Sequence, residues 1–192
     1  MKRWLGPADG LLQQGAWWCA VLCAAHGAPG LAALAGAAVL VAHLLVRSEE
    51  RVRVASTALA AALYGLATDT LLRASGLVSF AGAGVASPAW MVGLWAAFAA
   101  GLTASLRVTL RWPPLALAAA AALAGPLAYR AGAAHGALAF PAGSVALLAV
   151  AAQWCLGVPL LARIARVPIP DLSGPAGAPS SSAEALEHRC TR

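Results

Sequence analysis

Residues Gly10 to Val46 read GLLQQGAWWCAVLCAAHGAPGLAALAGAAVLVAHLLV and contain no Asp, Glu, Lys or Arg. A hydrocarbon core about 30 Å thick is crossed by roughly 20 mostly apolar residues at about 1.5 Å each. This stretch is long enough for two crossings. His26-Gly27-Ala28-Pro29-Gly30 divides it, with Pro29 suited to the first turn of the following helix.

The pattern repeats along the chain. Residues 74–106 and 131–162 are equally free of charge, and so are the shorter stretches 54–68 and 112–129. Breaks fall at the cluster Arg47 to Arg53, at the Gly- and Ser-rich 74–88, at Arg111-Trp112-Pro113-Pro114 and at Phe140-Pro141. The sequence therefore predicts an all-α integral membrane fold, a compact six-helix transmembrane bundle. Its spans are expected over about 8–26, 30–46, 54–73, 89–108, 115–137 and 143–163. Residues 1–166 form one transmembrane domain, and the Pro-, Gly- and Ser-rich 167–192 is expected to be a disordered cytoplasmic tail. The Ala- and Gly-rich composition favours close helix packing, and Gly132 and Gly136 form a GxxxG in span five.

Of the 192 residues, 61% are hydrophobic and 10% charged, whereas a soluble domain carries about a quarter charged residues. The net charge of +6 lies between apolar segments rather than on one basic face, which argues against nucleic acid as a partner. Met1-Lys2-Arg3 before an apolar run has the outline of a signal peptide. Asp9, Gln13 and Gln14 interrupt that outline, and the apolar sequence continues well past a cleavable length. Cys19, Cys23 and Cys155 fall within apolar spans and Cys190 in the tail, so neither a disulfide framework nor a metal site is expected.

Six spans place Lys2, Arg3, Arg47, Arg51, Arg53, Arg107, Arg111, Arg163 and Arg166 on one side. The nearly neutral turns at 26–30, 74–88 and 138–142 fall on the other. The positive-inside rule then puts both termini in the cytoplasm of a bacterial inner membrane. A five-span arrangement would strand the C-terminal arginines outside.

Ionisable groups within spans are costly unless paired or hydrated, and so point to function or to a structural pair. Asp69 is the one acid in the interior of a proposed span. It lies about fifteen residues, or roughly 22 Å, from the cytoplasmic end of its helix. Arg73 follows at i+4, and Arg130 sits at similar depth in span five. Asp69, Arg73 and Arg130 therefore form the candidate polar site. One reading is an outward-opening pocket with Asp69 as proton acceptor or ligand anchor. The other is an ion pair tying spans three and five together. His43 and His135 are read as packing residues, Thr103, Ser105 and Thr109 as hydroxyls bonded to the preceding turn, and Gln153 as interhelical glue. No nucleophile elbow, phosphate loop or metal triplet is visible, and no cofactor is expected.

Pro88-Ala89-Trp90, Leu94-Trp95, Phe98 and Ser105-Leu106 give a PxW…LW…F pattern. Gly125-Pro126-Leu127-Ala128-Tyr129 gives a GPLxY pattern, and Gln14-Gly15-Ala16-Trp17 and Asp69 fall at matching places. Over about residues 8–165 the chain thus resembles an uncharacterised family of small bacterial inner-membrane proteins, known only as a domain of unknown function. Where that pattern has an Asn-His pair before Ser105-Leu106, this chain has Thr103 and Ala104. The resemblance implies an integral inner-membrane protein, often encoded beside fatty-acid-modifying, cyclopropane-synthase-like enzymes.

The resulting functional expectation is a non-enzymatic accessory or scaffold in lipid modification or envelope maintenance. The alternative is a small transporter or lipid-handling permease working around Asp69 and Arg130. An integral enzyme acting on acyl chains ranks third. Expected partners are the lipid bilayer and a membrane protein or second copy of the chain.

Overall fold

In the computed structural model, residues 5–82 and 84–167 are described. The expected Lys2 and Arg3 and almost all of the expected tail lie outside them. Six helices dominate: α1 (Leu5–Ala25), α2 (Pro29–Val46), α3 (Arg51–Ala74), α4 (Ala89–Leu102), α5 (Pro114–Ala134) and α6 (Ser144–Arg166). Short 3-10 turns at Ser48–Glu50 and Arg107–Arg111 lead into α3 and α5.

Local chemistry sets the breaks. Pro29 and Pro114 open α2 and α5, where a missing N–H costs nothing. Helices α3 and α5 end on Gly76 and Gly136, with φ of +71° and +83°, which a side chain would strain. Leu77 and Ala137 then donate back to the carbonyls of Leu72 and Gly132, at 3.0 and 3.1 Å. Each turn launches a two-residue strand, β1 (Ser79–Phe80) and β2 (Leu138–Ala139), which pair antiparallel. The expected loops at 74–88 and 138–142 are thus joined into one ribbon at that end of the bundle.

Successive helices run in opposite directions. At the other end Arg107 reaches Glu50 at 3.4 Å, and Arg166 donates to the carbonyl of Trp112 at 3.3 Å. The described arginines at 47–53, 107–111 and 163–166 are therefore gathered at one end, and the ribbon lies at the opposite end.

Helices α2, α5 and α6, and the segment Ser48–Ala74 that includes α3, are long and apolar enough to cross a membrane. Their outward faces carry leucines, among them Leu115 at 83% and Leu148 at 71% exposed. An exterior this apolar, repeated around the bundle, suits lipid rather than water. Helix α4 differs, with only 14 residues, nine of them buried, and contacts to α1, α2, α3 and α6.

The fourth helix is shorter than the expected 89–108. Thr103 donates its hydroxyl to the carbonyl of Ala100 at 2.7 Å, competing with the helical pattern. Arg47 donates to the Thr103 carbonyl, the acceptor that Arg107 N–H would need to prolong the helix. The chain leaves α4 through turns instead.

Glycines let these helices approach. Gly36 of α2 lies against Gly93 of α4, so that a methyl group on Gly36 would come 2.6 Å from the Gly93 carbonyl oxygen. Elsewhere a glycine receives an aromatic ring: Gly65 takes Trp95, Gly125 takes Trp154 and Gly157 takes Tyr64. Gly36→Ala must push two backbones apart and is expected to cost about 1–3 kcal/mol. Gly15→Ala, which meets open space, should be neutral or stabilising by up to about 1 kcal/mol. Thermal unfolding of both variants in the same detergent checks the contrast.

Candidate functional site: a buried carboxylate behind an aromatic groove

Asp69 is fully buried on the inner face of α3. A carboxyl group taken out of water must be satisfied by protein donors. Three helices supply them. Oδ1 accepts the Tyr129 hydroxyl of α5 at 2.6 Å and the Gln153 side-chain amide of α6 at 2.7 Å. Oδ2 accepts the Trp95 indole N–H of α4 at 2.9 Å. Gln153 also donates to Thr68 Oγ1 at 2.6 Å, and the Tyr64 hydroxyl donates to the Gln153 carbonyl at 2.6 Å. One carboxylate thus binds α3 to α4, α5 and α6.

The arginines expected beside it are elsewhere. Arg73, one turn on, donates to the carbonyls of Ala86 and Gly82 at 3.1 and 2.8 Å and ties down the loop after β1. Arg130 is exposed. Among the described residues the ion pairs are His43 with Asp9, and Glu50 with Arg47, Arg53 and Arg107. The physical reason is helix rotation. Tyr129 and Arg130 share a depth but point about 100° apart at 3.6 residues per turn. The neutral tyrosine takes the interior, and the long cationic side chain takes the surface, where its head can reach a polar layer.

On the far side of Trp95 and Tyr129 lies a groove of about 300 Å³. Helix α4 forms its floor, α1 and α5 flank it, and Trp154 of α6 and Leu138 of β2 complete it. Trp90, Trp95, Phe98, Ser105 and Tyr129, all singled out in the sequence, line it, as do Gln14 and Trp17. No lining residue is charged. Asp69 is not part of its surface. It holds the polar edges of Trp95 and Tyr129 from behind, so that their apolar faces form the wall. Gly125 contributes indirectly by admitting Trp154 against α5, and Pro126 follows it inside that helix. The rings are in register: Trp95–Trp154 and Phe98–Trp154 centroids are 5.1 and 5.3 Å apart, and Tyr129–Trp154 meet edge-on at 6.5 Å.

The chain matches, over residues 8–160, the family described as "Protein of unknown function (DUF2878)". It belongs to that family. Neither a curated protein nor a solved structure matches it. Membership agrees with the resemblance carried by the PxW…LW…F and GPLxY residues, most of which face the groove in this family member.

Sequence reasoning identified Asp69 and the interhelical role of Gln153 but missed the pairing of Asp69 with Trp95 and Tyr129. It also missed Asp9 as the partner of His43. The available signal was a set of neutral donors at one depth on three spans.

Replacing Asp69 by leucine leaves three buried donors without an acceptor and is expected to destabilise the protein by on the order of 3 kcal/mol. Asp69→Asn keeps an oxygen for Trp95, and the Tyr129 hydroxyl can turn to accept from the new amide. A single N–H conflict with Gln153 remains, costing about 1 kcal/mol. Unfolding measurements should therefore rank wild type above Asp69→Asn, with Asp69→Leu lowest.

Proposed function

We propose that this protein is a polytopic inner-membrane accessory protein that holds one lipid acyl chain in the groove along α4. All six helices cross or fill the membrane, and both termini are cytoplasmic. The observation that carries the reading is the uncharged, aromatic lining. A path for a polar solute or ion needs polar or charged groups facing it, whereas an acyl chain needs an apolar slot with a polar end. Gln13, Gln14 and Ser105 lie at the arginine-bearing end, and the lining beyond them is almost wholly apolar. Along α1 the groove extends from Gly10 to Val21, which at 1.5 Å per residue is roughly 16 Å, or about one leaflet of a 30 Å core.

The gathering of Arg47, Arg51, Arg53, Arg107, Arg111, Arg163 and Arg166 at one end supports the cytoplasmic assignment for that end. The hydroxyls of the groove are those of Ser105 and Tyr129, and Tyr129 is engaged by Asp69. The permease reading centred on Asp69 and Arg130 lacks a shared site, because the carboxylate is enclosed and the guanidinium faces outward.

A phospholipid with a photoactivatable group on its acyl chain tests this in reconstituted bilayers. Adducts are expected on Trp17, Leu94 and Phe98 in addition to the leucines of the outer face. Ala128→Trp, which fills the groove, should remove the first set and leave adducts at Leu59 and Leu148. Labelling restricted to the outer leucines in the wild type contradicts the proposal.

A further inference from the structure

The groove along α4 has two unlike ends. At the arginine-bearing end Gln14 and Leu106 are exposed and Gly10 and Ser105 half-buried, so the groove is open there. At the ribbon end it is lined by Val21, Trp90, Met91 and Leu138, which are 2%, 1%, 5% and 7% exposed. These four side chains pack in one apolar cluster with Phe80 of β1. Several contacts hold that closure in place. The Trp90 indole donates to the Ala81 carbonyl at 3.1 Å, and the Ala81 amide donates to the Ala137 carbonyl at 2.8 Å. The Phe80 ring meets Trp90 and Tyr129 edge-on, with centroids 6.3 Å apart in each case. Leu138 lies over Gly132 of α5, where an added methyl group would come 3.3 Å from its Cδ2. Trp18 and His135, ring to ring at 5.0 Å, join α1 to α5 beside it.

We propose that the β1–β2 ribbon stoppers the groove and makes it a gauge of acyl-chain length, with Val21 and Leu138 as the residues that set the limit. This rests on the acyl-chain reading of the groove. It narrows the ligand to phospholipids with a chain that ends before the stopper while the head stays at Gln14 and Ser105.

The chain comes from hydrocarbon, since the outer face of the bundle carries leucines. Lipid is as apolar as the groove wall, so each methylene moved inward gains little. Length is therefore resisted at a limit rather than rewarded below it. A chain that is too long has two costs. Pressing its last carbons into the packed cluster forces side chains off their preferred rotamers. Stopping short of the cluster lifts the head group away from the polar end. The strands are paired and Trp90 is tied to Ala81, so the stopper does not swing aside without breaking hydrogen bonds.

Competition in lipid nanodiscs tests the gauge. The full chain is labelled with a phospholipid photoactivatable on its acyl chain, which gives adducts at Trp17, Leu94 and Phe98. Unlabelled phosphatidylcholines of increasing chain length then compete, each at low mole fraction in one carrier lipid so that bilayer thickness stays fixed. Competition is expected to change little up to one length and to weaken about five-fold or more within a few further carbons. Leu138→Ala, which cuts back the stopper, should move that cut-off to longer chains. Val21→Phe, which extends it, should move the cut-off to shorter ones. Adducts at the exposed Leu59 and Leu148 report that each variant is folded. Should one variant lose them, the shift in the other decides. Shifts in opposite directions do not arise from a general loosening of the fold. A cut-off that neither variant moves, or equal competition by every length, overturns the gauge and leaves the acyl-chain reading standing. Absence of groove adducts in the wild type overturns that reading and the gauge with it.

Discussion

The carboxylate of Asp69 is the constraint on which the rest of this bundle depends. Inside an apolar bundle it must be met by donors, and a half-satisfied polar group there is worse than none. Meeting it requires Trp95, Tyr129 and Gln153 to point to one place from three different helices. That requirement fixes how α4, α5 and α6 are rotated about their axes relative to α3. The apolar faces of Trp95 and Tyr129 are thereby turned the other way, and they become the groove wall. A polar interaction out of reach of any ligand in the groove thus determines the shape of an apolar surface. Asp69 is a positioning residue in this account.

Packing meets the same demand by other means. Lipid offers helices no hydrophobic incentive to associate, so contact area and hydrogen bonds must hold them together. Glycines remove the obstacle to close approach, and aromatic rings fill the space released. Trp95 over Gly65, Trp154 over Gly125 and Tyr64 over Gly157 are three cases of one device linking α3, α4, α5 and α6. Two of these rings, Trp95 and Trp154, also line the groove. The residues that close the bundle and those that shape its cavity are therefore largely the same.

Much of the helical organisation was legible because it depends on length and punctuation. Charge-free stretches, Pro29, the double proline at 113–114 and the Gly- and Ser-rich stretch after α3 mark where helices start and stop, whereas Gly136, read as part of a GxxxG inside span five, instead lies beyond the end of α5 with φ of +83°. The gathering of arginines at one end was legible for the same reason. Depth along an axis could also be counted, which is why Asp69 stood out. Rotation could not be counted. Two residues at equal depth differ by their angle around the helix, and a helix rich in Ala and Gly carries almost no amphipathic signal to reveal that angle. Arg130 was therefore chosen where its neighbour Tyr129 makes the contact. The early end of α4 was hidden for a different reason, since it depends on Arg47, 56 residues away in sequence, taking the Thr103 carbonyl. The Asp9–His43 contact is likewise a product of tertiary assembly, and each residue alone reads as an interruption in an apolar run.

The most direct measurement is the exchange behaviour of the Trp95 indole proton, followed by tryptophan-selective 15N spectroscopy in lipid nanodiscs. The account predicts a slowly exchanging, strongly hydrogen-bonded indole N–H in the wild type that loses protection in Asp69→Leu protein, where the acceptor is gone, with the indole of Trp112 unchanged. An indole proton of Trp95 that exchanges freely in the wild type would contradict it, because the carboxylate would then not be the point at which the four helices meet.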